Sequence, residues 1–389
     1  MNPNPAIGVV YHWLGGLASG SFYVPFRGVK RWAWETYWLV GGFFSWIIAP
    51  WFLALLMTHD LIAVIRQAPA SSLFWTYFFG VLWGLGGVTF GLTMRYLGMS
   101  LGMAMVLGYT AAFGTLMPPI FRGVFVSQVL GTRSGIVILI GIAVCLVGIA
   151  FAGAAGVSKE RNMPEEKKRD AIKEFNLKRG VLVATFSGVM SACFAYGLAA
   201  GDPIKAITVR HGTPPLWQGL PVLVVLLLGG FTTNFVWCAI LNLRNRTWRQ
   251  YFRSDGGDQF PARSQEPILE TATDAPGEEM AVAAALAADP AEMKAPMLAN
   301  YFFSALAGTT WYFQFFFYTM GETQMGRFKF SSWTLHMASI IIFSSLWGIA
   351  LKEWKGAGVR AGNLLALALL LLVGSTVIVG YGNYLGLRR

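Results

Sequence analysis

The sequence predicts an all-α integral membrane protein with ten transmembrane helices. Of its 389 residues, 55% are hydrophobic and 13% are charged, against about 25% charged residues in a typical soluble domain. The apolar residues form stretches close to the roughly 20 residues that a helix needs to cross a bilayer. Because almost no charge falls inside these stretches, the few polar residues within them are the candidates for function.

The predicted spans follow one another along the whole chain. They cover residues 6–26, 36–57, 71–94, 99–121, 134–155, 179–200, 216–243, 297–320, 330–351 and 362–385. Only Arg95 to Gly98 separate the third span from the fourth, which predicts a tight antiparallel hairpin. Glycines four residues apart, such as Gly80 and Gly84, allow helices to approach closely in lipid.

A charged segment, residues 157–178, divides the spans into an N-terminal unit (1–156) and a C-terminal unit (179–389), each with five helices. Because five is odd, the second unit enters the membrane in the opposite orientation, as in an inverted repeat. A second long connection, 244–296, begins basic and becomes acidic and rich in Ala and Pro. We expect either disorder or a short helix near 278–286, and we assign this connection no chemistry.

Basic residues give the expected orientation. Most of the 30 Lys and Arg residues lie in the connections that follow the odd-numbered spans. Because cytoplasmic connections retain Lys and Arg, both termini are predicted to be periplasmic. The same bias accounts for the net charge of +11 without a nucleic acid partner. The three cysteines (Cys145, Cys193 and Cys238) lie in apolar spans and are interpreted as buried hydrophobic residues.

Three strongly polar side chains lie well inside the spans. His12, Gln314 and His336 are each about six residues from the outer end of a span, roughly 9 Å deep at about 1.5 Å per residue. An unperturbed imidazole titrates at about pH 6.5, so either histidine could carry a proton. The alternative is that each side chain bonds a neighbouring helix. None of the 19 acidic residues lies deep in a predicted span, so no mid-membrane carboxylate is expected.

Two charged residues at span ends are further candidates. Glu35 opens the second span, where we predict proton release or gating; the helix dipole alone would also favour an acid there. Arg95 lies in the tight hairpin and is interpreted as a topological anchor or a gating residue.

Mid-span aromatic residues suggest a sugar site. The flat face of Trp can stack on the C–H face of a pyranose, while Gln314, Asn and Tyr side chains bind its hydroxyls. For each of them, packing alone remains the alternative. The candidates are Trp46, Trp83, Tyr109, Tyr196, Asn234, Trp311, Tyr318 and Trp333.

Enzyme signatures are weak. Residues 98–102 match the Gly-x-Ser-x-Gly string, but they lie in a membrane hairpin and not between a strand and a helix. No His, Cys and carboxylate residues show metal-ligand spacing. The sequence therefore predicts no catalytic residue, no metal and no cofactor, and it disfavours a membrane-embedded enzyme.

Several specific strings are distributed through nearly all spans. They are Tyr11 to Gly15, Phe22 to Lys30, Trp34 to Thr36, Gly91 to Ser100, Trp311 to Tyr318, Ser332 to Met337 and Leu351 to Trp354. In their order and spacing these strings resemble the bacterial L-rhamnose–proton symporter family, and the most specific part of the resemblance is Gly91 to Ser100.

The resemblance implies a drug/metabolite transporter fold and import of L-rhamnose, a 6-deoxyhexose, across the bacterial inner membrane with the proton as coupling ion. It supports His12, Gln314 and His336, which fall inside the shared strings. Two features depart from the family: the long 244–296 connection and the basic stretch Met325 to Phe330. The alternative is a transporter of the same fold that imports or exports another sugar or metabolite.

Overall fold

A computed structural model describes residues 3–162, 176–253 and 294–387, and within these residues every regular element is helical. The long helices are α1 (Pro5–Ser21), α2 (Trp34–Met57), α3 (Ala70–Leu97), α4 (Met99–Phe121), α5 (Arg133–Arg161), α6 (Leu177–Ala200), α7 (Leu220–Asn245), α8 (Met297–Thr323), α9 (Ser332–Ala350) and α10 (Val359–Leu387). Helix α2 contains a π-helical segment, Phe44–Ile48.

Short helices connect some of the long ones. They are Tyr23–Phe26, Leu61–Gln67, Phe125–Leu130, Asp202–Arg210, Pro215–Trp217, Thr247–Tyr251 and Gly326–Ser331. The predicted short helix near 278–286 lies outside the described residues, as does most of the 244–296 connection.

Eight of the helical segments are long and apolar enough to cross a bilayer, which makes this an integral membrane protein. Helices α1 and α8 are not among the eight. Helix α1 is short, with 17 residues, and the apolar sequence of α8 is interrupted by polar and aromatic side chains. The number ten for the membrane spans therefore stays a prediction.

Two helix ends differ from the predicted spans by five residues or more. Helix α1 ends at Ser21, five residues short of the predicted boundary, and a separate turn, Tyr23–Phe26, follows it. Helix α5 continues to Arg161, beyond the predicted limit of 155. Its last turn is held by Glu160, whose carboxylate accepts hydrogen bonds from the backbone and the hydroxyl of Ser100 at 3.0 and 2.6 Å.

The predicted hairpin between α3 and α4 is tighter than expected. Helix α3 continues to Leu97 and α4 begins at Met99, so Gly98 is the whole connection. Its φ of 77° lies in the left-handed region, which glycine adopts without steric cost. The backbone N–H of Asn176, just before α6, donates to the Tyr96 carbonyl at 3.1 Å and fastens the next helix to this hairpin.

Contacts between helix ends fall into two groups at opposite ends of the bundle. The N-terminal face, which carries Asn4, joins the start of α1 to the end of α8 through the bond from Asn4 N–H to Gln324 Oε1 at 3.0 Å. On the same face Ser72, at the start of α3, donates to the Ala200 carbonyl at the end of α6. On the opposite face, which carries Gly98, Asn162 donates to the Ala357 carbonyl at 2.7 Å. Starts of helices thus meet ends of others, as consecutive membrane crossings require.

Each long helix packs mainly against helices that are distant in sequence. Helix α1 packs against α8 and α9, and α6 packs against α3 and α4; α2 packs against α7 and α8, and α7 against α3. Helix α5 packs against α10, α4 against α5, and α9 against α10.

Glycines set the closest approaches between helices. A Cβ on Gly308 of α8 would overlap the Gly41 carbonyl of α2, and a Cβ on Gly80 of α3 would overlap the Leu226 carbonyl of α7. These contacts require glycine, as is typical of helix pairs packed in lipid.

Candidate functional site

The two predicted histidines lie in one interior cluster where α1, α8 and α9 meet. His12 and His336 are both fully buried. The Tyr318 ring lies edge-on to both imidazoles, with ring centroids 5.2 Å from His12 and 5.3 Å from His336. The structure therefore brings both histidines into contact with one tyrosine, inside the protein and not on its surface.

Glycine makes room for each imidazole. A Cβ on Gly321 would lie 2.8 Å from Nε2 of His12, so the ring rests directly on the α8 backbone. Gly15 of α1 lies against the Gln314 carbonyl and against Nδ1 of His336, at 2.8 and 3.6 Å from its ideal Cβ. The positions of both rings thus depend on small residues of the facing helix.

Polar atoms in this cluster lack partners among the described residues. Both ring nitrogens of His12 and of His336, and Nε2 of Gln314, are buried without a hydrogen bond. A buried polar group without a partner costs about 1–3 kcal/mol. The interpretation of these residues as structural bonds between helices is therefore not supported by the observed geometry.

The predicted tryptophans extend this cluster through continuous ring contacts. Trp333 lies 5.9 Å from His336 and 5.7 Å from Phe194, measured between ring centroids. Trp83 stacks on Trp311 at 5.7 Å with an interplanar angle of 28°. Trp311 also contacts Trp46 at 5.5 Å and Phe315 at 5.0 Å, and Phe315 reaches His336 at 6.0 Å. All the predicted tryptophans therefore join the histidines in one aromatic interior.

Two of these tryptophans differ in what their N–H groups do. The indole N–H of Trp333 donates to the Thr110 carbonyl at 2.9 Å, which fixes its ring between α9 and α4. The indole N–H of Trp46 is buried without a partner among the described residues.

Three predicted hydroxyl or amide partners lie outside the histidine cluster. Tyr109 packs in a separate apolar cluster with Val106 and Ala184. Tyr196 donates its hydroxyl to the Phe113 carbonyl at 3.2 Å. The Asn234 amide donates to the Gly230 carbonyl, and its oxygen accepts from the indole N–H of Trp38 at 3.4 Å. Sugar contact by Tyr109, Tyr196 and Asn234 stays a prediction.

Glu35 lies on the opposite face, in the first turn of α2, and is buried. Its Oε1 accepts hydrogen bonds from Asn245 at 3.0 Å and from the Thr247 hydroxyl at 2.8 Å, both at the end of α7. A neighbouring link runs from the Ala33 N–H to Gln250 at 2.7 Å. Glu35 thus ties the start of α2 to the end of α7, a role that the sequence did not reveal.

Arg95 occupies the last turn of α3, but its side chain lies outside the described residues. Its predicted roles in gating or topology stay predictions.

Sequence reasoning missed a buried cation on the N-terminal face. Lys205, 4% exposed, contacts Glu322 at 2.8 Å and Asp202 at 3.2 Å, and Asp202 also binds Arg122 at 2.6 Å. This ion network joins the ends of α4, α6 and α8. The spacing of Asp202 and Lys205, one helical turn apart, was the signal available in the sequence.

The sugar site expected among the mid-span tryptophans is nearly closed in this conformation. The cleft beside Trp46 and Trp311 has a volume of about 10 Å³, the space of about one water molecule. A hexose does not fit into this cleft in this conformation, so the side chains must separate before a sugar can enter.

These observations define the class of the protein. It is a polytopic α-helical membrane protein whose interior holds titratable and aromatic side chains. Within the described residues, no group of three His, Cys, Asp or Glu residues could hold a metal ion.

Comparison with known proteins identifies the family. The model of the family described as L-rhamnose-proton symport protein (RhaT) matches residues 1–252 and 280–384, so the chain belongs to this family of transporters and not to an enzyme class. It is 34% identical over 383 residues to the L-rhamnose-proton symporter of Klebsiella pneumoniae strain 342, covering 98% of this chain and 99% of that protein. The symporters of Cronobacter sakazakii and Salmonella paratyphi B are 34% and 35% identical over 377 residues, covering 97% of each chain.

Proposed function

We propose that this protein imports L-rhamnose together with protons across the bacterial inner membrane by alternating access. The observation that carries the proposal is the near full-length match to the symporter family. Both buried histidines and all the clustered tryptophans fall inside the matched residues. A secondary transporter needs a site for the ion and a site for the solute in one interior, and these residues offer both chemistries.

An inverted repeat, with ten spans and the drug/metabolite transporter fold, is part of the proposal. The packing of helix pairs supports it. In an inverted repeat α1 corresponds to α6, α2 to α7, α3 to α8, α4 to α9 and α5 to α10. When each helix is replaced by its counterpart, the observed pair α1–α8 becomes the observed pair α6–α3, and α1–α9 becomes α6–α4. The same exchange converts α2–α8 into α7–α3, and α4–α5 into α9–α10, while α5–α10 maps onto itself. A two-fold relation between two inverted halves would produce this pattern.

Individual residues follow the same exchange. Gly308 meets the Gly41 carbonyl, and Gly80 meets the Leu226 carbonyl. Three residues further along each helix stand Trp311 and Trp83, which stack on each other. Two equivalent side chains that touch lie on the symmetry axis, and in inverted-repeat transporters the substrate site lies near that axis.

For the coupling ion, we propose His12 and His336. They are the titratable groups of the interior cluster, and each has ring nitrogens free to take a proton when water enters from the periplasm. With both termini periplasmic, the N-terminal face is the outer one, and the ion network would close it. Separation of that network would admit the sugar and the proton together.

On the cytoplasmic side, Glu35 would control release. Its carboxylate is held by neutral donors on α7, and α2 packs against both α7 and α8. Opening the opposite face would pull α2 from the end of α7, expose this carboxylate to water and let it accept the departing proton.

The test is transport in proteoliposomes. With an inward proton gradient, labelled L-rhamnose should accumulate, and a protonophore should abolish the accumulation while counterflow between preloaded and labelled sugar continues. Addition of L-rhamnose to a lightly buffered suspension of intact cells should make the medium alkaline. Counterflow without alkalinisation would refute proton coupling. Absence of counterflow with L-rhamnose, but its presence with another sugar, would favour the alternative of a different substrate. Accumulation under an outward gradient only would indicate export.

A further inference from the structure

An aromatic cleft lies beside the tryptophan pair, between the connection after α1, helix α2 and helix α8. Aromatic rings form its walls and glycines its floor, and we call it the α2 cleft. Its lining residues are Phe22, Phe26, Trp38, Gly41, Gly42, Ser45, Trp46, Gly308 and Trp311.

The α2 cleft combines flat apolar faces with unused polar groups. The N–H of Trp46 is buried and has no partner among the described residues. The Ser45 hydroxyl has one long bond, 3.4 Å, to the Gly42 carbonyl of its own helix. The Trp38 ring is fixed by its bond to Asn234 and by stacking on Trp34 with centroids 5.3 Å apart. A pyranose needs such a fixed ring for its C–H face and such polar groups for its hydroxyls.

The backbone of α2 is irregular at this cleft. Ser45 and Trp46 lie in the π-helical segment Phe44–Ile48. π-Helical turns are rare in proteins as a whole, and those that occur are often found at functional sites. Pro50 follows the segment and cannot donate the hydrogen bond that would hold a regular α-helical turn here. Helix α2 can therefore bend beside Trp46, which is where the cleft must widen to admit a sugar.

The corresponding place in the other half is filled. Gly308 contacts the Gly41 carbonyl of α2, and its counterpart Gly80 contacts the Leu226 carbonyl of α7. Gly41 therefore corresponds to Leu226, and the next residue, Gly42, corresponds to Leu227. Both leucines are fully buried. Packing between the halves therefore does not itself require glycine at both α2 positions. A Cβ on Gly41 would lie 2.9 Å from the Phe26 ring, and a Cβ on Gly42 would overlap the Trp46 ring, so the aromatic rings of the cleft are what require glycine here.

We propose that the α2 cleft is the binding site of the 6-deoxyhexose, with Trp38 and Trp311 against its C–H faces and its methyl group, and Trp46 N–H and the Ser45 hydroxyl bound to its hydroxyls. This inference rests on the proposed function, because it takes L-rhamnose as the ligand. The aromatic contacts from Trp311 through Phe315 to His336 connect the sugar to the proton-binding cluster.

The first test is binding of L-rhamnose to the purified protein by calorimetry. Trp46→Phe removes one N–H and keeps an aromatic ring, and it should weaken binding about tenfold, the effect of one lost hydrogen bond in a buried site. Trp75→Phe is the matched control, because Trp75 lies outside the α2 cleft and its side chain is exposed on the surface of α3, so binding should be unchanged. Equal affinity of the wild type and Trp46→Phe would overturn the proposal.

The second test does not depend on the folding of that variant. In Ser45→Cys, reaction of the new thiol with a small charged thiosulfonate should be slowed several-fold by saturating L-rhamnose. The three native cysteines are buried, so the parent chain gives the background. Ser127→Cys, on the exposed N-terminal face, should react at a rate that L-rhamnose does not change.

The outcomes separate the two proposals. If the wild type neither binds nor exchanges L-rhamnose, the proposed function fails. If the wild type exchanges L-rhamnose but the sugar leaves Ser45→Cys unprotected, the α2 cleft is not the site and the proposed function stands.

Discussion

The substitution Gly321→Ala tests whether the His12 ring depends on its seat on α8. A Cβ at this position would lie 2.8, 2.9 and 3.0 Å from three atoms of the imidazole, closer than ordinary van der Waals contact. Forcing a methyl group into a packed interior costs about 1–3 kcal/mol. Alanine in place of glycine within a helix returns about 0.5–1 kcal/mol. The net destabilisation should therefore lie between about 0 and 2.5 kcal/mol, with a central value of about 1 kcal/mol. The imidazole ring must shift away from the α8 backbone at Gly321.

The assay for Gly321→Ala combines thermal unfolding in detergent with transport. We expect a lower Tm, loss of proton-driven accumulation and retained sugar counterflow, because the substitution displaces His12 and leaves the α2 cleft intact. Gly374→Ala is the matched control: it lies in α10, a Cβ there meets nothing within 4 Å, and it should be neutral or slightly stabilising. If the two variants had equal Tm values and equal accumulation, the argument from His12 packing would be wrong.

Three further predictions concern charged and titratable groups. At least one of the variants His12→Ala and His336→Ala should lose rhamnose-dependent alkalinisation of the medium while it retains sugar counterflow. Intact accumulation at pH 6 in both variants would refute the coupling assignment. Lys205→Met should lower the free energy of unfolding by about 3–5 kcal/mol, because it leaves the buried side of Glu322 without its cation; adding Glu322→Gln should recover part of that loss, and an unchanged Tm would contradict the buried pair. Glu35→Gln keeps the oxygen that accepts from α7, so stability should change little while proton-driven uptake falls; unchanged uptake would show that the Glu35 charge has no part in release.

The sequence predicted the membrane class and the position of most helices because apolar length alone determines them. The sequence did not predict where some helices end, because a few specific contacts determine the last residue of a helix. The end of α5 is carried past its apolar stretch by the bonds between Glu160 and Ser100. These partners are far apart in sequence, so no local pattern indicates that they meet.

Residue type and depth in the membrane predicted which residues belong to the interior cluster. They did not predict which side chains contact one another. Equal depth suggested that His12 and His336 share a level, and the structure brings both to Tyr318. Tyr109 met the same criteria and lies in another cluster, because depth does not fix the direction in which a side chain points. The contact of Lys205 with Glu322 and the contacts of Glu35 with Asn245 and Thr247 were beyond prediction for the same reason, since each depends on how helices distant in sequence pack together.

The one-residue connection at Gly98 has a consequence for how the chain is made. Because Gly98 alone connects α3 and α4, we expect the two helices to enter the bilayer together, as a hairpin, after both have been synthesised. The pair then offers the Tyr96 carbonyl as a docking point for the segment that precedes α6. Replacement of Gly98 by a residue with a side chain should reduce the amount of protein that reaches the membrane. The molecules that do assemble should transport at the normal rate.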